Sequence, residues 1–249
     1  MQQMFDRHLF TVGLDSASLT MLGVIVHRLD EEGEYRGTVY RREGSPEATF
    51  TISASRSSAV AQLNIDLSVL LGEKVYAASG DCCSREAKTH FVVNPKGYVV
   101  FHVTGGAGGF SVRLRRAIED PKQKVFDSRE LREGDVFSAV VLRPGHYTVS
   151  NVLTKTKAAE LDVSYPEMGK TGYKPPPPVK VECTASGFVP SSIRVSPGQG
   201  VNYHPAVPTR IKIELVEPND GRSKEAPGRS GWMKSTLPKS DAEAKQKQY

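Results

Sequence analysis

Between His90 and Ser164 apolar and polar positions alternate with a period of two, in the runs HFVVN, YVVFHV, FSVRLRR, VFSAVVL, HYTVSNV and AELDVSY. An extended chain points successive side chains to opposite faces, so each run predicts a half-buried strand. Turn residues separate the runs: Pro95-Lys96-Gly97, the four glycines within Gly105–Gly109, and Pro144-Gly145. A tight hairpin at Pro95-Lys96 sets Val92 opposite Val99 and His90 opposite Phe101, with His102 on the other face. Farther on, Phe110, Val112 and Leu114 alternate with Ser111, Arg113 and Arg115, which predicts one core face and one wet, basic face.

The same pattern extends outward in both directions. Residues 9–14 and 19–29 read as strands, and Val24-Ile25-Val26 predicts a strand buried on both faces. Residues 35–42 and 48–55 read as a hairpin around Gly44-Ser45-Pro46, with Phe50 and Ile52 on one face and Thr49 and Thr51 on the other. In residues 57–72 a helical face (Val60, Leu63, Leu67, Leu70) competes with an unbroken alternation from Leu63 through Ile65, Leu67 and Val69 to Leu71. The alternation favours a strand. Residues 167–178 are rich in Gly and Pro and end in four prolines, a composition that suits an extended spacer. A further strand-rich block spans 179–217, and a polar tail, 218–249, carries Trp232, Met233 and Leu237 as its apolar anchor.

Two short stretches resemble known families. Leu142-Arg143-Pro144-Gly145-His146-Tyr147-Thr148-Val149 resembles the PGxYxV step of prealbumin-like and collagen-adhesin B-type modules and of other immunoglobulin-like sandwiches. The resemblance implies a seven-strand sandwich over 88–166 and no activity. The block GFVPSSIRVSPGQGV, from Gly187 to Val201, resembles the early strands of cupredoxin-like sandwiches. That family binds copper through two imidazoles, a thiolate and often a thioether late in the domain. Here Cys183 precedes the strands, His204 is the one His beyond residue 146, and Met233 lies in the tail, so copper is not expected. The fold expectation is therefore all-β: an N-terminal β domain at 1–80, an immunoglobulin-like sandwich at 88–166, the linker, a cupredoxin-like module at 179–217 and an extended tail.

Composition narrows the function classes. A formal net charge of +5 and a sequence pI of about 9.0 are mildly basic, and Lys and Arg are scattered, so nucleic acid is not an expected partner. No apolar run reaches the length that spans a bilayer, and Asp6 and Asp15 interrupt any leader, which predicts a cytoplasmic protein, or a periplasmic or extracellular one if a signal lies upstream. Cys82, Cys83 and Cys183 form no disulfide framework, and whether Cys183 meets one of the pair is open. The sequence lacks CxxC, HExxH and GxSxG, and the glycine run lacks the Lys-Ser/Thr ending of a phosphate loop.

The expected function is a non-catalytic structural or interaction subunit without a cofactor. It would bind other protein subunits, in a soluble or a membrane-associated complex, through sheet surfaces and through Trp232, Met233 and Leu237. One alternative is a degenerate cupredoxin-like metal or redox protein using Cys183 and His204; another is a surface- or carbohydrate-binding sandwich.

Overall fold

The alternating runs form strands in the computed structural model, which describes residues 13–41, 44–72, 88–118, 124–165 and 176–219. The first half contains β1 (Leu14–Asp15), β2 (Gly23–Arg28), β3 (Gly33–Arg41), β4 (Pro46–Ala54), β5 (Gln62–Asp66), the short helix α1 (Leu67–Leu70), β6 (His90–Val93), β7 (Tyr98–His102) and β8 (Phe110–Arg116). The second contains β9 (Lys124–Asp127), β10 (Val136–Val140), β11 (Gly145–Asn151), β12 (Ala159–Val163), β13 (Val179–Thr184), β14 (Gly187–Val189), β15 (Ser192–Val195), β16 (Gly200–Pro205) and β17 (Ile211–Pro218). A shared seven-stranded sheet runs β14-β13-β16-β10-β2-β7-β5. Two five-stranded outer sheets run β6-β4-β3-β8-β9 and β1-β17-β11-β12-β15.

The second half repeats the first. Strands β2, β3, β4, β5, β6, β7 and β8 correspond in order to β10, β11, β12, β13, β15, β16 and β17, with β14 as an addition. The correspondence includes the uncommon parallel pairs: β4 with β6 as β12 with β15, and β5 with β7 as β13 with β16. Each half thus sets four outer strands against three of the shared sheet. A shift of 112 positions superposes Asp15 on Asp127, Ser16 on Ser128, Leu19 on Leu131, Val24 on Val136, Gly33 on Gly145 and Tyr35 on Tyr147.

These shared residues do the same jobs twice. Gly33 and Gly145 cross from the shared sheet to an outer sheet at φ 145° and 154°. A Cβ at Gly145 would stand 2.5 Å from the Glu217 carbonyl oxygen, so a side chain is barred there. Tyr35 and Tyr147 each donate a hydroxyl to the carbonyl four residues back, of Glu31 and Arg143, at 2.7 Å.

The lead strands are exchanged between the halves: β1 pairs with β17 and β9 with β8. Ser16 Oγ accepts the Ile211 N–H at 3.1 Å, and Ser128 Oγ accepts the Val112 N–H at 2.9 Å. Asp15 holds Arg210 (2.9 Å) and Asp127 holds Arg113 (3.1 Å), so each lead strand is fixed by an ion pair as well.

Burial follows from register. Ile65, Phe101, Ile25, Phe137, Tyr203 and Val181 are successive cross-strand partners over six strands of the shared sheet, and all are buried. Phe101 meets Phe50 and Phe126 of the first outer sheet, at ring-centroid distances of 6.3 and 5.5 Å. One contiguous core therefore joins all three sheets.

Several expectations differ from this structure. Separate units at 1–80, 88–166 and 179–217 do not describe the pairing, because the shared sheet draws strands from all three stretches. No hairpin forms at Pro95-Lys96: a turn closes from Gly97 N–H to the Asn94 carbonyl, but β6 joins the first outer sheet and β7 the shared one. Val92 and His90 therefore do not face Val99 and Phe101. Val24-Ile25-Val26 is fully buried on one face only, with Ile25 inside and both valines partly buried. The strand expected through residue 71 ends at Asp66, whose side chain accepts the Ser68 N–H and caps α1.

The repeated serines generate a prediction. Ser16→Ala and Ser128→Ala each strand a buried backbone N–H, so each is expected to cost about 1–3 kcal/mol. The two sites lie in different sheets and share no partner, so the double variant should lose the sum. Urea unfolding of the three variants checks this, and a neutral single variant would contradict the equivalence of the halves.

Candidate functional site

The outer face of the shared sheet carries what the core does not use. Residues alternate outward from those buried, so Val24 and Val26 of β2, Val100 of β7, and Val136 and Val140 of β10 lie on this face, partly buried and outside the packed core. Val100, Val26 and Val136 are direct cross-strand neighbours and form a continuous stripe. Half-exposed Tyr98 extends the face toward its edge.

A histidine borders the stripe on each side, in corresponding strands. On β7, His102 lies between Asp66 of β5 and Val24 of β2; on β16, His204 lies between Glu182 of β13 and Val136 of β10. The two halves thus repeat an acid-histidine pair on the open face. Burial alone would raise the Asp66 carboxyl, but hydrogen bonds from Ser68 and Thr104, helped by nearby His102, hold it below its usual range. His204 is held below its ordinary 6.5 chiefly by partial burial and further by the Lys180 ammonium, against the pull of Glu182.

The expected site residues fall apart. Cys183 is buried in the core face, and burial pushes its thiol up to about 12. It neighbours Pro205 while His204 neighbours Glu182, so Cys183 and His204 point to opposite faces of the sheet and are not brought together. Among the described residues no group of three potential ligands surrounds a metal position. Trp232, Met233 and Leu237, like Cys82 and Cys83, lie outside the described residues. His90 accompanies Thr51 on the first outer sheet, at 2.7 Å, in a different sheet from His102.

His27 has its partner 108 positions away along the chain, where no local pattern could point to it. Its Nδ1 stands 2.7 Å from Asp135 Oδ1, while Asp135 Oδ2 accepts the Arg132 N–H at 2.8 Å. The pair opens on a cleft of about 350 Å³ whose cations close on carboxylates: Arg28 on Asp30, Arg116 on Glu31, Arg132 on Glu130. Nε2, the nitrogen a base would use, is buried against the protein and has no partner among the described residues. The arrangement orients an imidazole by a carboxylate, without a Ser, Thr or Cys among the cleft's lining residues.

On the first outer sheet, Arg36 lies directly opposite Arg115, and neither makes an ion pair among the described residues. Like charges in that position are destabilising. In the equivalent row of the second outer sheet Glu160 and Glu214 flank Thr148. No family model, curated protein or solved structure matches the chain. No helix among the described residues is long and apolar enough to cross a membrane.

Two predictions follow from these side chains. Arg115→Glu turns a like-charge pair into an opposite one and is expected to raise stability by about 0.2–1 kcal/mol, read as an increase in Tm. His204 favours its neutral form in the folded chain, so the stability it contributes is complete above pH 6.5 and is lost as pH falls through its lowered pKa. His204→Gln should therefore flatten the acid side of the stability curve, measured by unfolding across that range.

Proposed function

We propose that this chain is a non-catalytic interaction subunit that docks a neighbouring protein on the open face of its shared sheet. The observation that carries the reading is the stripe Val100, Val26 and Val136, an apolar centre that no described element covers, bordered by His102 and His204. Contiguous exposed apolar surface with a polar rim is characteristic of protein interfaces. The rim has both signs, with Asp66 and Glu182 against Lys180 and Arg28, which suits a protein surface better than a polyanion.

The face measures roughly 29 by 16 Å from strand spacing and rise. That area is less than the ~800 Å² per partner of a stable complex. A second contact is therefore part of the reading, and the stretch containing Trp232, Met233 and Leu237 supplies it. The division of each half into four strands against three supports describing the units as immunoglobulin-like sandwiches.

The test is site-specific photo-crosslinking in the full chain within its own cells, at positions 26 and 100, with position 49 of the first outer sheet as control. One protein captured in fixed ratio from 26 and 100 but not from 49, and lost on Val136→Lys with the unfolding temperature unchanged, is the expected result. Equal capture at all three positions would remove the open face as the docking site.

A further inference from the structure

The two outer sheets are copies of one architecture, and one equivalent row of outward side chains carries opposite charge in the two. On the first, the row His90, Thr51, Arg36, Arg115 runs across β6, β4, β3 and β8. On the second, the corresponding row Ser192, Glu160, Thr148, Glu214 runs across β15, β12, β11 and β17. Each residue occupies the same place in its half. Where the first row carries two arginines, the second carries two glutamates.

Three of these four charges are unpaired among the described residues. Arg36, Arg115 and Glu160 make no ion pair among the described residues, and Glu214 holds only Lys212, its neighbour two residues along the strand. Glu34, two residues from Arg36 on the same face, pairs with neither arginine. Both outer sheets have five strands.

We propose that the first outer sheet of one copy docks on the second outer sheet of another, Arg36 and Arg115 meeting Glu160 and Glu214. Both outer sheets pack on the same face of the shared sheet, so two copies related by a two-fold can form the contact twice, first sheet on second and second on first. Five strands by seven residues give roughly 19 by 23 Å per face, small against the ~800 Å² of a stable complex. Association is therefore weak, steered by charge, and suppressed by salt. It uses a surface distinct from the valine stripe and does not depend on the docking role given to that stripe.

Charge reversal tests this on the full chain by sedimentation velocity from about 10 to 300 μM, at ionic strengths near 0.05 and 0.5 M, which span long and short screening lengths. The wild-type chain should gain mass with concentration at low salt and lose that gain at high salt. R36E/R115E makes both outer faces acidic and E160K/E214K makes both basic, so each alone should remain monomeric. An equimolar mixture should associate at least as strongly as wild type, which also shows that the variants fold.

A wild type that stays monomeric at 300 μM and low salt, or a mixture that does, overturns the proposal. So does association that both reversals retain but Val26→Lys abolishes, which would assign self-contact to the valine face. A monomeric wild type that binds a fluorescent ten-residue oligoglutamate through Arg36 and Arg115 would replace the second copy with a foreign acidic segment; binding of a single-stranded oligonucleotide in its place would make the partner a nucleic acid.

Discussion

The pairing of β2 with β10 is the constraint on which the rest depends. Ile25 faces Phe137 at the centre of the shared sheet, and the 112-position shift that superposes the halves carries Ile25 onto Phe137 itself. An approximate two-fold therefore passes through this pair. Without the seam, each half would present β2 or β10 as an open edge, with unpaired backbone groups beside a large apolar surface. With it, six strands align their largest buried side chains in one row, and one core serves both outer sheets. The exchanged lead strands reinforce the same result. Ser16 and Ser128 satisfy amides of the other half, so neither half has all its buried hydrogen bonds alone.

Repetition also separates residues held by the fold from residues free of it. Asp15, Ser16, Leu19, Gly33 and Tyr35 recur in the second half, and each performs the same hydrogen-bonding or packing task there. The histidines of β7 and β16 recur as well, yet they stand on the open face, outside the core. Packing does not account for two imidazoles, each beside a carboxylate and each bordering the valine stripe. By contrast His27 and Asp135 have Ala139 and Gly23 as their counterparts, so that cleft belongs to one half only.

Alternation made the strands and their faces legible: Phe50 and Ile52 against Thr49 and Thr51, or Val112 and Leu114 against Arg113 and Arg115. It carries no information about which strand lies alongside. The turn at Asn94–Gly97 was visible, but a turn between two sheets and a turn within one have the same local chemistry. The Val-Ile-Val run signalled a strand apolar on both sides, and burial on both sides was one of two physical meanings; an apolar face outside the core was the other. The repeat escaped because its spacing drifts: Ile52 corresponds to Leu161, Ile65 to Val181, Phe101 to Tyr203, and Leu114 to Ile213. Loops of different length reset the offset between each pair, so identities align only over the first three strands of each half.

That drift bears on how the outer faces acquired opposite charge. Inward positions of the two outer sheets answer to one continuous core and have stayed apolar in both halves, as Val112 and Ile211 illustrate. Outward positions answer to solvent, where most substitutions change stability little. Arg36 opposite Arg115 is an exception, because that pair opposes folding in the isolated chain and a single replacement would relieve it. A sequence that tolerates glutamate at the equivalent position of its other half has no structural reason to keep arginine here. Against an acidic surface outside the chain the same two charges would act together, and the repulsion that opposes folding would become attraction.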